Sequence, residues 1–453
     1  MTMLPTVVRR CKVLVLVLAA VPCCLSSAAL LEQAGRPTAP KGAIIPNRFI
    51  VALKPGYGDA ATAAAGLVRE VKAALRSTAA AAGGTVGTAA GGGAAGGAAG
   101  GAAGGATGGV GGSTGGGAAA GGLPRVPVAA NEQVPAGVQL IGAVSSAGVA
   151  NMAAGKPLVV AVVDSGVDSS HPDINYVGGK AFVVPSTAVQ GDSADPATDL
   201  YGHGTHVAGI IGARNGGAGG VVGVAPGVGI FSLKVMDAQG VGSLSDAMDA
   251  VTWAAGPEGK AAGIAVINLS LAGYADPAAP DYAATRDYVC GVFQAASAAG
   301  LVVVAAAGNY ATDLRGYLPA ACPSVIAVTS MDPASASASS FSNYLAEPAT
   351  AADRARLIAA PGNGILSTIS FAREASGYRE LSGTSMASPH IAGVAATCIA
   401  SGACSAAGDF ANAAVLQAAA KQRAAAVPTY GFDGDARSTR GGKYYGYLTW
   451  DKW

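Results

Sequence analysis

The run Leu301-Val302-Val303-Val304-Ala305-Ala306-Ala307 is apolar without a break and ends at Gly308-Asn309. A strand covered on one face alternates apolar and polar residues. A strand apolar at every position must be covered on both faces, as in a parallel sheet between two helical layers. Similar β-branched runs occur at 158–163, 230–236, 264–270 and 325–330. Ala-rich helical patterns separate or follow them at 204–213, 243–255, 283–299, 385–400 and 410–424. This alternation predicts an α/β fold, a doubly wound and mostly parallel sheet with helices on both faces. Functional groups of such folds gather at the carboxyl ends of the strands.

Other regions lie outside that body. Arg9, Arg10 and Lys12 precede an apolar run from Val13 to Val21, and small residues follow at Ser26 to Ala29. Residues 1–29 therefore read as a secretory signal peptide. The alternative is a membrane anchor, for which the run is short against a hydrocarbon core of about 30 Å, so no stable membrane insertion is expected. Residues 43–76 hold a short extended run and a helical stretch. Residues 80–122 are almost wholly Gly and Ala and read as a flexible low-complexity linker. The globular body is placed at 134–427, and 428–453 form a Tyr/Trp-containing C-terminal tail.

The 453 residues are 51% hydrophobic and 12% charged, which suits a large buried core. Net charge is +1 with no dense Lys/Arg stripe, so nucleic acid is excluded as a partner. Removing the signal would remove Cys11, Cys23 and Cys24, leaving Cys290, Cys322, Cys398 and Cys404. In an exported chain an even number predicts bridges. Cys398 and Cys404 are near enough to pair across a helix end, which leaves Cys290 with Cys322. Four buried free thiols are the alternative.

Four motifs carry chemistry. Asp164 ends the run Leu158–Val163 and precedes Ser165-Gly166; a carboxylate closing a buried strand needs a partner. His203 stands in Gly202-His203-Gly204-Thr205-His206, where a helix begins. His203 and His206 have a spacing that permits metal ligation, but no Glu follows as in His-Glu-x-x-His sites. Ser385 stands in Leu381-Ser382-Gly383-Thr384-Ser385-Met386-Ala387-Ser388-Pro389-His390, at a predicted helix N-terminus. Asn309 closes the run quoted first, and its amide N–H can be aimed at a developing oxyanion. Taken singly, each has a bland reading as a turn or cap residue.

Together, and in the chain order Asp, His, Ser, these motifs resemble the subtilisin-like serine proteases (subtilases, peptidase family S8), over about 134–417. The resemblance implies a secreted, extracellular endopeptidase with Asp164, His203 and Ser385 as triad and Asn309 in the oxyanion hole. It also implies that Gly240-Val241-Gly242 and Ser270-Leu271-Ala272 flank a bound polypeptide substrate, with Ala272 standing where the family usually has Gly. No cofactor is implied for catalysis. Structural calcium is common in the family, and Asp173 with the loop Asn215–Gly220 matches one such site, the loop being one residue longer. Ile44 to Gly56 resembles the opening of the family's inhibitory propeptide, which would make the chain's own propeptide a partner and the enzyme a zymogen. The remainder of that propeptide is hard to trace, and maturation is expected near 125–134. The alternative function is a non-catalytic extracellular or wall-associated binding protein on the same fold. That alternative predicts loss of a triad member, and none is lost.

Overall fold

In a computed structural model of the protein, residues 123–154, 158–183, 192–216, 219–405 and 411–453 are described. The signal segment 1–29, the inhibitor-like segment 43–76 and the Gly/Ala tract 80–122 lie outside the described residues.

The main sheet contains strands β1 (Val159–Asp164), β2 (Tyr176–Ala181), β3 (Gly229–Lys234), β4 (Ile264–Leu269), β5 (Val302–Ala306), β6 (Ile326–Asp332), β7 (Leu357–Pro361) and β8 (Tyr447–Leu448). Their order is β2-β3-β1-β4-β5-β6-β7-β8, every neighbouring pair is parallel, and Ser337–Ala338 joins β6 antiparallel. The principal helices are α1 (His203–Gly212), α2 (Leu244–Ala255), α3 (Tyr282–Ala298), α4 (Thr384–Ala400) and α5 (Ala411–Ala426).

The unbroken apolar strands divide their residues between two cores, as period two requires. On β1, Val160 and Val162 join Ile230, Val266 and Val304 against Ile211 of α1 and Ile391 and Val394 of α4. Val159, Ala161 and Val163 face the opposite way, with Leu233, Ile267 and Leu269, against Val251 of α2 and Phe293 of α3. The doubly wound reading therefore holds, with α1 and α4 sharing one face.

The five expected strands and five expected helices all form, with ends shifted by one or two residues. The edges add what periodicity did not reveal. Strand β2, with two glycines and no fully buried residue, is an edge strand. Strand β8 has two residues and exists through its pairing with β7, Tyr447 opposite Ile358.

Residues 428–453 are built into this body. Tyr430, Phe432, Tyr445, Leu448 and Trp453 are buried in the first core, and the Arg423 guanidinium lies 3.9 Å from the centroid of the Trp450 ring. The start of the described chain is also anchored. Arg125–Val126 pairs with Val149–Ala150, and the Arg125 guanidinium donates to the carbonyls of Ala143 (2.7 Å), Gly148 (3.1 Å) and Trp453 (3.2 Å). Both expected disulfides are present, Cys290–Cys322 and Cys398–Cys404, with Cα separations of 5.0 and 5.1 Å. Among the described residues no helix is long and apolar enough to cross a membrane.

Candidate active site

Asp164 is the last residue of β1 and fully buried. A carboxylate there must be met by donors. The Ser165 backbone N–H donates to Oδ1 at 2.8 Å. His203 Nδ1 lies 2.8 Å from Oδ1 and 3.0 Å from Oδ2. A nitrogen facing a carboxylate carries the proton, so the neutral imidazole keeps Nε2 as its acceptor. His203 opens α1, and Gly204 allows the close approach of the β1 turn: a Cβ there would lie 2.0 Å from the Gly166 carbonyl oxygen. Burial pulls the His203 pKa down, but the charge and hydrogen bond of Asp164, with Asp199 behind them, prevail and raise it above the ordinary imidazole value. His206 turns the other way, its Nε2 meeting the Arg379 carbonyl at 2.9 Å. The two histidines therefore do not share a ligand, and no cluster of three metal-ligating side chains occurs among the described residues.

Ser385 lies in the first turn of α4, which packs against α1. Its hydroxyl donates to the Ser270 carbonyl at 3.1 Å. No hydrogen bond joins it to His203, and in serine sites that bond often tightens only when substrate binds. Beneath it, Ser270 Oγ donates to the Ser385 carbonyl at 2.8 Å and accepts from Asn268 Nδ2 at 2.9 Å. Asn309 follows β5. Its Oδ1 accepts from the Thr384 backbone N–H and from Thr384 Oγ1, each at 2.8 Å, which fixes the amide orientation because a backbone N–H can only donate. A Cβ built on Gly383 would lie 3.3 Å from Asn309 Nδ2 and 3.6 Å from the Ser385 backbone nitrogen, so two donors flank one small space.

Of the two expected substrate segments, the first lies against Tyr201 near His203 and the second carries Ser270 beneath Ser385. Val241 is 38% exposed, on a turn where Asp237 Oδ1 accepts from the backbone N–H groups of Gln239 (2.9 Å) and Val241 (3.0 Å). Gly240, with φ +73°, lies against the Tyr201 ring, which is itself 6.2 Å from the His203 ring. Ser270 is buried under α4, Leu271 is half-buried and Ala272 is exposed. Gly273 then reaches Leu244 of α2, within 3.7 Å of a Cβ there, so the second segment approaches the helix that follows the first.

The sequence reading missed the supports. Asn343 Oδ1 accepts from the backbone N–H groups of Tyr310 (2.9 Å) and Thr312 (3.2 Å), while its Nδ2 donates to Ala307 at 2.9 Å. It thereby holds the Asn309 turn. An isolated Asn in a loop carries no sequence signal of that role. Thr384 lay inside a quoted motif, and only its adjacency to Ser385 could have marked it.

At the expected calcium position Asp173 is buried. Its Oδ2 accepts from Tyr378 Oη (2.8 Å) and the Val221 N–H (3.3 Å), while Oδ1 has no hydrogen-bond partner. Glu132 Oε2 accepts from the Gly220 N–H at 3.2 Å. Burial first, then these two carboxylates together, push the Tyr378 phenol up. Two anions on one glycine-rich loop, one with an orphaned oxygen, fit a hard cation. Asn215 contributes no side-chain oxygen to it, because its amide is engaged with Ala129 N and Pro127 O.

A buried carboxylate–imidazole pair, a helix-borne serine and two N–H donors flanking one small space, on a doubly wound sheet, are the features of a serine hydrolase. Residues 155–434 match the subtilase family, and the chain belongs to that family of serine proteases. It is 38% identical to subtilisin DY of Bacillus licheniformis over 246 residues, 53% of this chain and 76% of that protein. It is 39% identical to a subtilisin of Bacillus pumilus over the same shares. A thermophilic serine proteinase of Bacillus sp. (strain AK1) is 40% identical over 243 residues, 52% of this chain and 51% of that one. The crystal structure of a cold adapted subtilisin-like serine proteinase aligns with 71% of this chain and 99% of that chain, at 27% identity and a TM-score of 0.49.

Proposed function

We propose that the protein is a secreted serine endopeptidase that hydrolyses peptide bonds through an acyl-enzyme on Ser385. Ser385 Oγ attacks the scissile carbonyl as His203 Nε2 removes its proton, and His203 then delivers that proton to the leaving amine. Asp164 holds the tautomer and stabilises the imidazolium. Asn309 Nδ2 and the Ser385 backbone N–H receive the oxyanion. Water repeats the sequence on the acyl-enzyme. A polypeptide substrate lies as an added strand along 240–242 and 270–272, and the Ala272 methyl narrows the first specificity pocket. No cofactor enters the chemistry. A bound calcium would be structural, held by Asp173 and Glu132. The propeptide acts as folding assistant and inhibitor, and its removal precedes activity.

One observation carries this reading: His203 Nδ1 lies within 3.0 Å of both oxygens of a fully buried carboxylate, an arrangement that leaves Nε2 to act as a base. The test is casein hydrolysis by purified wild type and Ser385→Ala, with fluorophosphonate labelling of both. Loss of hydrolysis by several orders of magnitude, together with loss of labelling, is expected. Equal activity in the two proteins would end the proposal.

A further inference from the structure

That mechanism leaves unused a group of buried polar side chains directly behind Asp164 and His203. Ser165 and Thr205 are 0% exposed, and Asp199 and Lys234 are 1% exposed. Asp199 lies in the loop that leads into α1. Lys234 ends β3 and is the register partner of Asp164. A carboxylate and an ammonium are each costly to bury, and neither touches the space where substrate would lie.

Their bonds join the two halves of the catalytic pair. Asp199 Oδ1 accepts from Ser165 Oγ (2.8 Å) and the Gly202 N–H (2.7 Å). Its Oδ2 accepts from the Thr205 N–H (2.9 Å) and Thr205 Oγ1 (2.7 Å). Ser165 Oγ in turn accepts from the Gly204 N–H at 3.0 Å. One carboxylate thus grips the residues flanking His203 on both sides and the residue following Asp164. Lys234 Nζ donates to the carbonyls of Ser165 and of Thr198, the latter at 3.1 Å. These are the residues next to Asp164 and Asp199. The packing is closed, since a Cβ on Gly166 would lie 2.3 Å from the Thr198 carbonyl oxygen and 3.2 Å from Lys234 Nζ.

We propose that Asp199 and Lys234 are positioning residues that lock the Asp164 turn and the start of α1 into the geometry catalysis needs. This rests on the reading of Asp164, His203 and Ser385 as the machinery. Burial pushes the Asp199 carboxyl up, and the four donors on its lone pairs work against that by favouring the carboxylate. Asp199 and Asp164 act on His203, and Asp199, Asp192, Asp164 and Asp195 act on Lys234. His203 itself also faces His206. The negative charge of Asp199 therefore supports the basicity of His203, and the positive charge of Lys234 opposes it.

The test compares D199N, K234M and S165A for kcat, KM, thermal unfolding and the acidic limb of the kcat/KM–pH profile. Enzyme concentration is fixed by fluorophosphonate titration. D199N is expected to move the limb down by about half a pH unit and K234M to move it up by a similar amount. All three lower kcat about tenfold or more with little change in KM, and S165A, which keeps every charge, leaves the limb in place. A merely structural role would lower the unfolding temperature without moving the limb in opposite directions. Limbs unmoved in both charge variants, or moved the same way, overturn the inference. Should D199N not fold, an unmoved limb in K234M or an unchanged kcat in S165A overturns it alone. If Ser385→Ala retains full activity, the catalytic reading itself falls. If activity needs Ser385 and the limbs stay fixed, only the positioning role falls.

Discussion

Gly383→Ala crowds the proposed oxyanion site without touching any group that makes or breaks a bond, and at φ +159° it also strains the backbone two residues before Ser385. The added methyl would lie 3.3 Å from Asn309 Nδ2 and 3.6 Å from the Ser385 backbone nitrogen. An oxyanion must sit about 2.7–3.1 Å from each of those donors. The methyl and the oxygen would therefore contend for one small space, and the oxygen could keep at most one good hydrogen bond. Loss of one such donor costs about 10²–10³ in kcat, a range set on a subtilisin and so carried over to this relative, not worked from these distances. The structural part is that both donors are obstructed together, so the fall should reach at least that range while KM changes little. Steady-state hydrolysis of a peptide p-nitroanilide, with thermal unfolding as a check on the fold, makes the measurement. A folded G383A with kcat within threefold of wild type would show that the oxyanion does not form between Asn309 and Ser385.

Four further outcomes are expected. The acidic limb of kcat/KM should lie above the ordinary imidazole value near 6.5, because Asp164 raises His203 and catalysis needs its neutral form; Asp164→Asn should move the limb down and lower kcat severely, as pH profiles of both proteins would show. His206 and His390 are buried, with pKa values lowered by burial to about 3 and about 4, so the unfolded chain binds more protons below pH 6.5. Stability should then be intact above about pH 6.5 and fall toward pH 4, each histidine contributing up to ~1.4 kcal/mol per pH unit, and denaturant unfolding at pH 7 and pH 4.5 checks the slope. Removing the Cys290–Cys322 bridge (sequence separation 32) should cost about 3.5–4 kcal/mol and removing Cys398–Cys404 (separation 6) about 2 kcal/mol, as urea denaturation of the paired Cys→Ser variants would report. Chelation should lower the unfolding temperature of wild type and leave Asp173→Asn, already less stable, nearly unmoved.

The candidate catalytic groups were legible because each closes or opens a feature that periodicity exposes. Asp164 and Asn309 terminate unbroken apolar strands, and His203 and Ser385 open helices beside glycines. Lys234 and Asp199 were not legible as a unit. Lys234 reads as an ordinary polar residue inside a β-branched run, and only the register of β3 against β1 sets it beside Asp164. Strand β8 and the tail were hidden for a related reason. Two residues, Tyr447 and Leu448, carry no period, and their burial depends on β7 being already in place. Local pattern reports what a segment must bury, whereas pairing across hundreds of residues reports what a segment meets.

The topology explains why so few segments suffice. Strands β1, β4 and β5 are consecutive in the sheet, so Asp164, the Ser270 segment and Asn309 leave its carboxyl edge side by side. Helices α1 and α4 share the first core and pack on each other, which brings the elements bearing His203 and Ser385 to that same edge. Helices α2 and α3 cover the opposite face and reach the site only through the segments that would border a substrate. Substitutions confined to the second core should therefore act on stability and on those segments. Changes at the interface of α1 with α4 act on the distance between base and nucleophile, where an error of about 1 Å is worth about 10² in rate. Gly393 of α4 marks how little room that distance leaves, since a Cβ there would lie 3.2 Å from the Ile211 carbonyl oxygen of α1.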